Sequence, residues 1–206
     1  MRRTFTLATL VLGLALTAPI PAHAGTLFDV EPQLYVLDPG GDGQLLLREA
    51  ELLVLHDVTS RFGLYSFALV NEAWGQVQAG PTYWLVPGGV QVGLGAALEQ
   101  HATPYRGAAF LYLDPSLLRG FQVLAVGERG GSGSYYTVHG GYKVTDWLRL
   151  GAMGERFAGV GPRVDVYPIS KTPIRVWAMA GHDFEADSNT VIVSVAYDCV
   201  FGPACE

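Results

Sequence analysis

Charge is scarce in this chain. Asp, Glu, Lys and Arg make up only 16% of its 206 residues, against about 25% in a typical water-soluble domain. Cysteine is scarcer still, with Cys199 and Cys205 alone. Two thiols build neither a disulfide scaffold nor, by themselves, a metal site. There is no phosphate loop, zinc-type ligand spacing or nucleotide fingerprint, and nothing in the sequence asks for a cofactor. A spanning helix is missing too, although half of the residues are hydrophobic and the mean hydropathy is +0.25. The longest uncharged run, Ala73 to Leu98, is broken by Pro81, Pro87 and several glycines, through which one helix cannot continue.

The first 24 residues read as a secretory leader. Arg2 and Arg3 precede an apolar stretch from about Leu7 to Leu16, and Ala22-His23-Ala24 ends in an A-x-A cleavage signal before Gly25. The apolar stretch is too short for a membrane anchor, which needs about 20 residues. The expected domains are therefore a signal peptide, 1–24, and one folded unit, 25–206. Cleavage removes two basic residues and no acidic one, making the mature chain more acidic than the formal −6 of the whole. That balance disfavours nucleic acid as a partner.

What the chain does have is alternation. In Ser134–Val144 one set of residues is Tyr136, Val138, Gly140, Tyr142, Val144; the other is Tyr135, Thr137, His139, Gly141, Lys143. A period of 2 with one polar and one apolar face is a strand. The pattern returns in 89–99, where Val90, Val92, Leu94, Ala96 and Leu98 oppose Gln91, Gly93, Gly95, Ala97 and Glu99. It returns again in 147–156, 162–169 and the last strand. Gly, Pro, Asn and Asp clusters punctuate the chain at fairly even intervals. They predict twelve strands, at 26–37, 44–56, 62–71, 75–86, 89–99, 105–113, 118–127, 134–143, 147–156, 162–169, 173–183 and 190–201. If two weak breaks near Asn71–Gly75 and Gln100–Pro104 are not turns, the number is ten. Strands of this length suit a tilted membrane crossing, and lipid admits only helices or closed barrels. The expected fold is all-β: a single antiparallel transmembrane β-barrel. Trp74, Tyr83, Trp84, Tyr136 and Trp147 lie near strand ends, where aromatic girdles belong. Two segments, 44–56 and 118–127, alternate poorly.

With leader, alternating strands and a final strand Val191 to Phe201 that closes on an aromatic residue, the chain resembles the small porin-like outer-membrane β-barrel proteins of Gram-negative bacteria. The resemblance implies location in the outer membrane, in contact with its lipid, passage of small solutes, and handling of the last strand by the barrel-assembly machinery. Here Gly202-Pro-Ala-Cys-Glu206 runs on past Phe201, a departure from that pattern.

Charged residues within strands should face inward, because a lipid-facing Arg or Lys costs about 2–4 kcal/mol at the bilayer midplane. The lumen candidates are Glu99, Arg106, His139, Arg149, Glu155, Arg163, Asp165 and Arg175, with Arg48, Arg119, Glu72 and Asp198 also placed in or beside strands. They make either a constriction that sorts solutes by sign and size or a network of ion pairs that fills the barrel. Catalytic residues are not expected. His101 and the His182-Asp183 pair each lack a serine in a recognisable motif, although a lipid hydrolase would need one; Ser66, Ser116 and Ser188 are the nearest. A passive channel is the leading function. A closed structural or partner-binding barrel and a lipid-modifying enzyme are its rivals.

Cys199 and Cys205 lie on either side of the Gly202-Pro203 bend, in a chain exported to an oxidising compartment, so a local disulfide clip between them is expected, with free thiols or an intermolecular bond as the alternatives. Non-reduced tail peptide from the purified mature protein should weigh two hydrogens less than its reduced form. Two free thiols in protein drawn from that compartment would rule out the clip.

Overall fold

The computed structural model describes residues 26–38, 45–169 and 172–201; the leader and Cys205 lie outside them. The described chain contains twelve strands and no helix: β1 (Thr26–Leu37), β2 (Leu45–Asp57), β3 (Phe62–Asn71), β4 (Gly75–Val86), β5 (Val90–Glu99), β6 (Tyr105–Leu113), β7 (Phe121–Gly130), β8 (Gly133–Lys143), β9 (Leu148–Glu155), β10 (Gly159–Val166), β11 (Ile174–Asp183) and β12 (Ser188–Phe201). Each pairs antiparallel with its sequence neighbours. The ring closes where β1 meets β12, from Thr26↔Phe201 to Leu37↔Thr190. Both weak breaks are real turns, so the number is twelve and not ten.

Both ends of β7 and of β10 move from their expected places. β7 starts at Phe121, because Asp114 opens a seven-residue turn. Its carboxylate accepts from the Ser116 amide at 2.8 Å, and the Gly120 amide donates to the Pro115 carbonyl at 2.7 Å. Arg119, expected in a strand, occupies this turn with φ of 52°. At its far end β7 runs on to Gly130 and reverses over Gly131 and Ser132 alone, with Gly133 at φ 105°. β10 starts three residues earlier than expected because Gly159-Val160-Gly161 belongs to the ladder, and Arg156–Ala158 make the turn.

Three prolines, Pro32, Pro81 and Pro162, sit inside strands of a barrel that has no free edge. Proline lacks the amide a ladder needs. Each interrupts one ladder over two residues, between Val30 and Gln33, Ala79 and Thr82, and Val160 and Arg163, and the register resumes unchanged beyond it.

Alternation settles which side is which. The outer faces carry Leu94 (69% exposed), Val138, Leu150, Val164, Val193 and Val195, all open to the surroundings. The inner faces carry Glu31, Gln78, Gln91, Arg106, Glu128, Glu155, Arg163 and Arg175, all buried. A water-soluble barrel has the reverse arrangement. An exterior of this kind is matched by lipid. Tyr83 and Tyr136 do lie on the outer faces near the barrel ends, as girdle residues should, and Trp147 is exposed in the turn between β8 and β9. Trp74 and Trp84 turn inward instead. The Trp84 indole donates to Asp57 at 2.8 Å, and Trp74 faces an internal cavity.

Arg48 is an exception to the inward rule. It sits on the outer face at a barrel end, its side chain 80% exposed, 3.9 Å from Glu72. The end of a strand is where the cost of an outward charge falls towards zero.

Small residues on the inner faces make room for large neighbours. A Cβ at Gly95 would stand 2.0 Å from the Tyr65 hydroxyl, and one at Gly93 would stand 2.4 Å from the Phe110 ring. The Gly93-x-Gly95 inner face of β5 is thus the floor on which Tyr65 and Phe110 lie, 5.4 Å apart between ring centroids.

The face assignment is open to a direct test. In a background with both native cysteines changed to Ser, Leu94→Cys and Val193→Cys in proteoliposomes should react with a membrane-soluble maleimide and resist a charged one. Thr137→Cys should react with the charged reagent. The opposite pattern would mean an apolar interior.

Candidate functional site

The interior is the candidate site. Two of its cavities, among the described residues, have no lining residue in common. The larger, about 300 Å³, opens at the end where the chain termini lie; the other, about 250 Å³, lies toward the opposite end. The boundary can be read along single strands. Gln33 lines the first and Tyr35 the second on β1; Glu51 and Glu49 divide likewise on β2, Thr137 and Tyr135 on β8, Met153 and Glu155 on β9. At this level side chains span the lumen. The Tyr35 hydroxyl lies 2.9 Å from Glu49 on the adjacent strand and 2.9 Å from Glu155 on β9, across the barrel, with Gln33 at 3.0 Å. One hydroxyl hydrogen is shared among three acceptors, so the tie is polar and can exchange partners.

Two ion-pair networks brace the wall. In the first, the Arg106 guanidinium on β6 donates to Glu99 at 2.8 Å and Glu128 at 3.0 Å, with all three side chains at most 1% exposed. Gln76 and Gln78 donate to the remaining Glu128 oxygen at 3.0 and 3.1 Å, and the Ser132 amide donates to Glu99 at 3.0 Å. In the second, Arg175 on β11 reaches Asp165 at 2.9 Å, Asp198 at 2.8 Å, Asp29 at 3.4 Å, and Glu31. Arg163 donates to Asp165 at 2.9 Å and lies over the Trp177 ring, 3.9 Å from its centroid. The Trp177 indole in turn donates to Glu31 at 3.1 Å. Asp29, Glu31 and Asp198 converge within 4.8 Å, a spacing that suits a cation, and the guanidinium of Arg175 is the cation among them.

The eight candidates from sequence therefore occupy different environments. Glu99 and Asp165 are enclosed in ion pairs. Arg163 and Arg175 are paired and also edge the larger cavity. Arg106 edges the smaller one while holding its two carboxylates. His139 and Arg149 face the larger cavity, and Glu155 faces the smaller one across from Tyr35.

Sequence reasoning passed over Tyr35, Glu49, Glu51, Glu31 and Trp177. A signal for β1 was present, since Asp29, Glu31, Gln33 and Tyr35 alternate without interruption against Val30, Pro32 and Leu34. The poor alternation of β2 and β7 also has its cause. Their inward positions Leu53, Leu55, Leu124 and Val126 join Phe67 and Phe110 in an apolar wall of the larger cavity, so both faces of these strands are apolar there.

Among the described residues, the histidines considered for catalysis have no serine as a hydrogen-bond partner. Nδ1 of His101 accepts from the Thr103 amide at 3.1 Å. His182 contacts Asn189 at 3.1 Å and Asp187 at 3.7 Å. Ser116 bonds the Gly88 carbonyl at 2.8 Å.

No protein-family model matches the chain, and no curated protein matches it. Among solved structures it is similar to the KdgM porin, with a TM-score of 0.52 and 14% identity over 82% of this chain and 98% of that one. It is likewise similar to the KdgM porin in complex with disordered oligogalacturonate, with a TM-score of 0.51 and 15% identity over the same shares. The fold of this chain is that of a small outer-membrane porin barrel.

Proposed function

We propose that the mature chain, residues 25–206 after removal of a leader ending at Ala24, is an outer-membrane barrel that acts as a narrow passive channel for small solutes. Outer-membrane lipid surrounds it, and the barrel-assembly machinery inserts it. The observation that carries the reading is the division of the lumen. Two polar-edged cavities enter from opposite ends and are parted by side chains alone, with the Tyr35 hydroxyl bridging Glu49 and Glu155. Side-chain rotation at this level would join the two cavities without movement of the backbone.

Carboxylates set the sign of the channel. Glu49, Glu51 and Glu155 flank the partition, while Arg106, Arg163 and Arg175 are committed to carboxylates of their own. Acidic side chains grouped at a constriction favour cations. Oligogalacturonate, present in complex with the KdgM porin, is a polyanion and would meet like charge at this waist. The closed-barrel reading rests on the same tie: if Tyr35 does not yield, the two cavities are blind. An enzyme reading finds no support in the bonds of His101 and His182.

Reconstitution in planar bilayers distinguishes these readings. Wild-type protein should give small, cation-preferring steps. Tyr35→Ala should raise the conductance several-fold, and Glu49→Gln with Glu155→Gln should lower the preference for cations. Silence in wild type and in Tyr35→Ala alike would leave a closed barrel.

The bracing ion pairs behave differently. Arg106→Met leaves Glu99 and Glu128 buried without a countercharge, a loss of about 3–5 kcal/mol. Heat-modifiable gel migration of that variant should fail at a much lower temperature, whereas Arg149→Gln, with no carboxylate to abandon, should migrate as wild type.

A further inference from the structure

The larger cavity is two-sided. One wall, from β2, β3, β6 and β7, is the apolar surface of Leu53, Leu55, Phe67, Phe110, Leu124 and Val126. The opposite wall, from β8 to β11, presents cations. A channel that only passed hydrated ions would gain nothing from large apolar side chains facing its water, and their exposure there is unfavourable. Ligand cavities of about 300 Å³ and more combine such a surface with a few placed polar groups.

Arg149 is the placed group. Its cationic neighbours all have partners: Lys143 on Asp146 at 2.7 Å, Arg163 on Asp165 at 2.9 Å, and Arg175 on four carboxylates. Among the described residues no carboxylate lies within ion-pair distance of Arg149, and its buried Nε has no hydrogen-bond acceptor. The position is built to carry this side chain. A Cβ at Gly141, on the adjacent strand, would stand 2.8 Å from Arg149 Cδ and 2.9 Å from Cγ, so glycine there gives the arginine stem its bed. The guanidinium lies 5.8 Å from the Tyr167 ring centroid, at the edge of the same cavity.

We infer that the larger cavity binds a small organic anion with an apolar body, an arylalkyl carboxylate or its like. The carboxylate takes the open donors of Arg149, and the apolar body covers the Leu53–Phe110 wall. The acidic waist beyond it stops the anion, so the ligand is held in the cavity and not passed on. The inference rests on the channel reading for the route of entry, but binding itself does not require conduction.

The test uses the full mature protein in lipid nanodiscs, titrated calorimetrically with 3-phenylpropionate, with its neutral amide, and with gluconate as a wholly hydrophilic anion. Saturable binding of 3-phenylpropionate alone is expected. Arg149→Gln should weaken it about tenfold, the worth of a charge-assisted hydrogen bond, and Leu53→Asn should weaken it too. Arg149→Lys should retain part of the affinity. Heat-modifiable migration of each variant confirms that it is folded. Equal binding of gluconate, of the amide, or by Arg149→Gln would overturn the proposal, as would no binding at all. Bilayer conductance of the same preparations tests the channel separately: conduction without 3-phenylpropionate binding removes this site and leaves the pore, and binding without conduction removes the pore and leaves this site.

Discussion

Closure of the hydrogen-bond ladder is the constraint on which everything else depends. A strand at a sheet edge exposes a row of amides and carbonyls that water can satisfy and hydrocarbon cannot. The seam between β1 and β12 removes both edges at once. Once the ring is closed, the period-2 alternation of each strand divides all side chains into two populations, one toward the surroundings and one toward the lumen. Even the three in-strand prolines conform: each gives up a local stretch of one ladder, and the register on either side is kept.

Closure also concentrates charge. Carboxylates and guanidinium groups that would be scattered over the surface of a soluble protein are gathered in a narrow lumen, where they pair or repel at short range. Arg106 and Arg175 answer this by collecting two and four carboxylates, respectively, from other strands. Breaking such a buried cluster costs far more than its formation contributes, so these arginines belong to the wall. Among the described residues Glu49, Glu51 and Glu155 have no arginine within ion-pair distance, and they stand at the level where the lumen divides. The charges that brace the wall and those at the division of the lumen are thus different residues on the same inner surface.

The strand alternation was readable because it is a local property. Residues 62–71, 75–86 and 105–113 needed no neighbour to declare themselves. Boundaries were misplaced where a turn is shaped by contacts the local pattern does not report: the carboxylate cap of Asp114 delays β7, and the tight reversal at Gly131-Ser132 lengthens it. Trp74 and Trp84 read as girdle residues because strand ends are where girdles occur. Their inward rotation follows from the parity of β4 and from partners such as Asp57, neither of which an aromatic at a strand end announces.

The sequence by itself determined an all-β chain whose strands have one apolar and one polar face, because a period of 2 and the chemistry of turn residues are written in neighbouring positions; that the strands number twelve and not ten was settled by the pairing across the two weak breaks. It determined as well that most strand charges face away from lipid, because the cost of the alternative is large. Only the tertiary structure decided which charges neutralise one another. Arg175 and Glu31 are 144 residues apart, as Tyr35 and Glu155 are 120 apart, and the barrel's curvature brings them together. It likewise decided that leucines of β2 and β7 which spoil the alternation form one wall of a cavity, since a surface shared by four strands has no trace in any one of them.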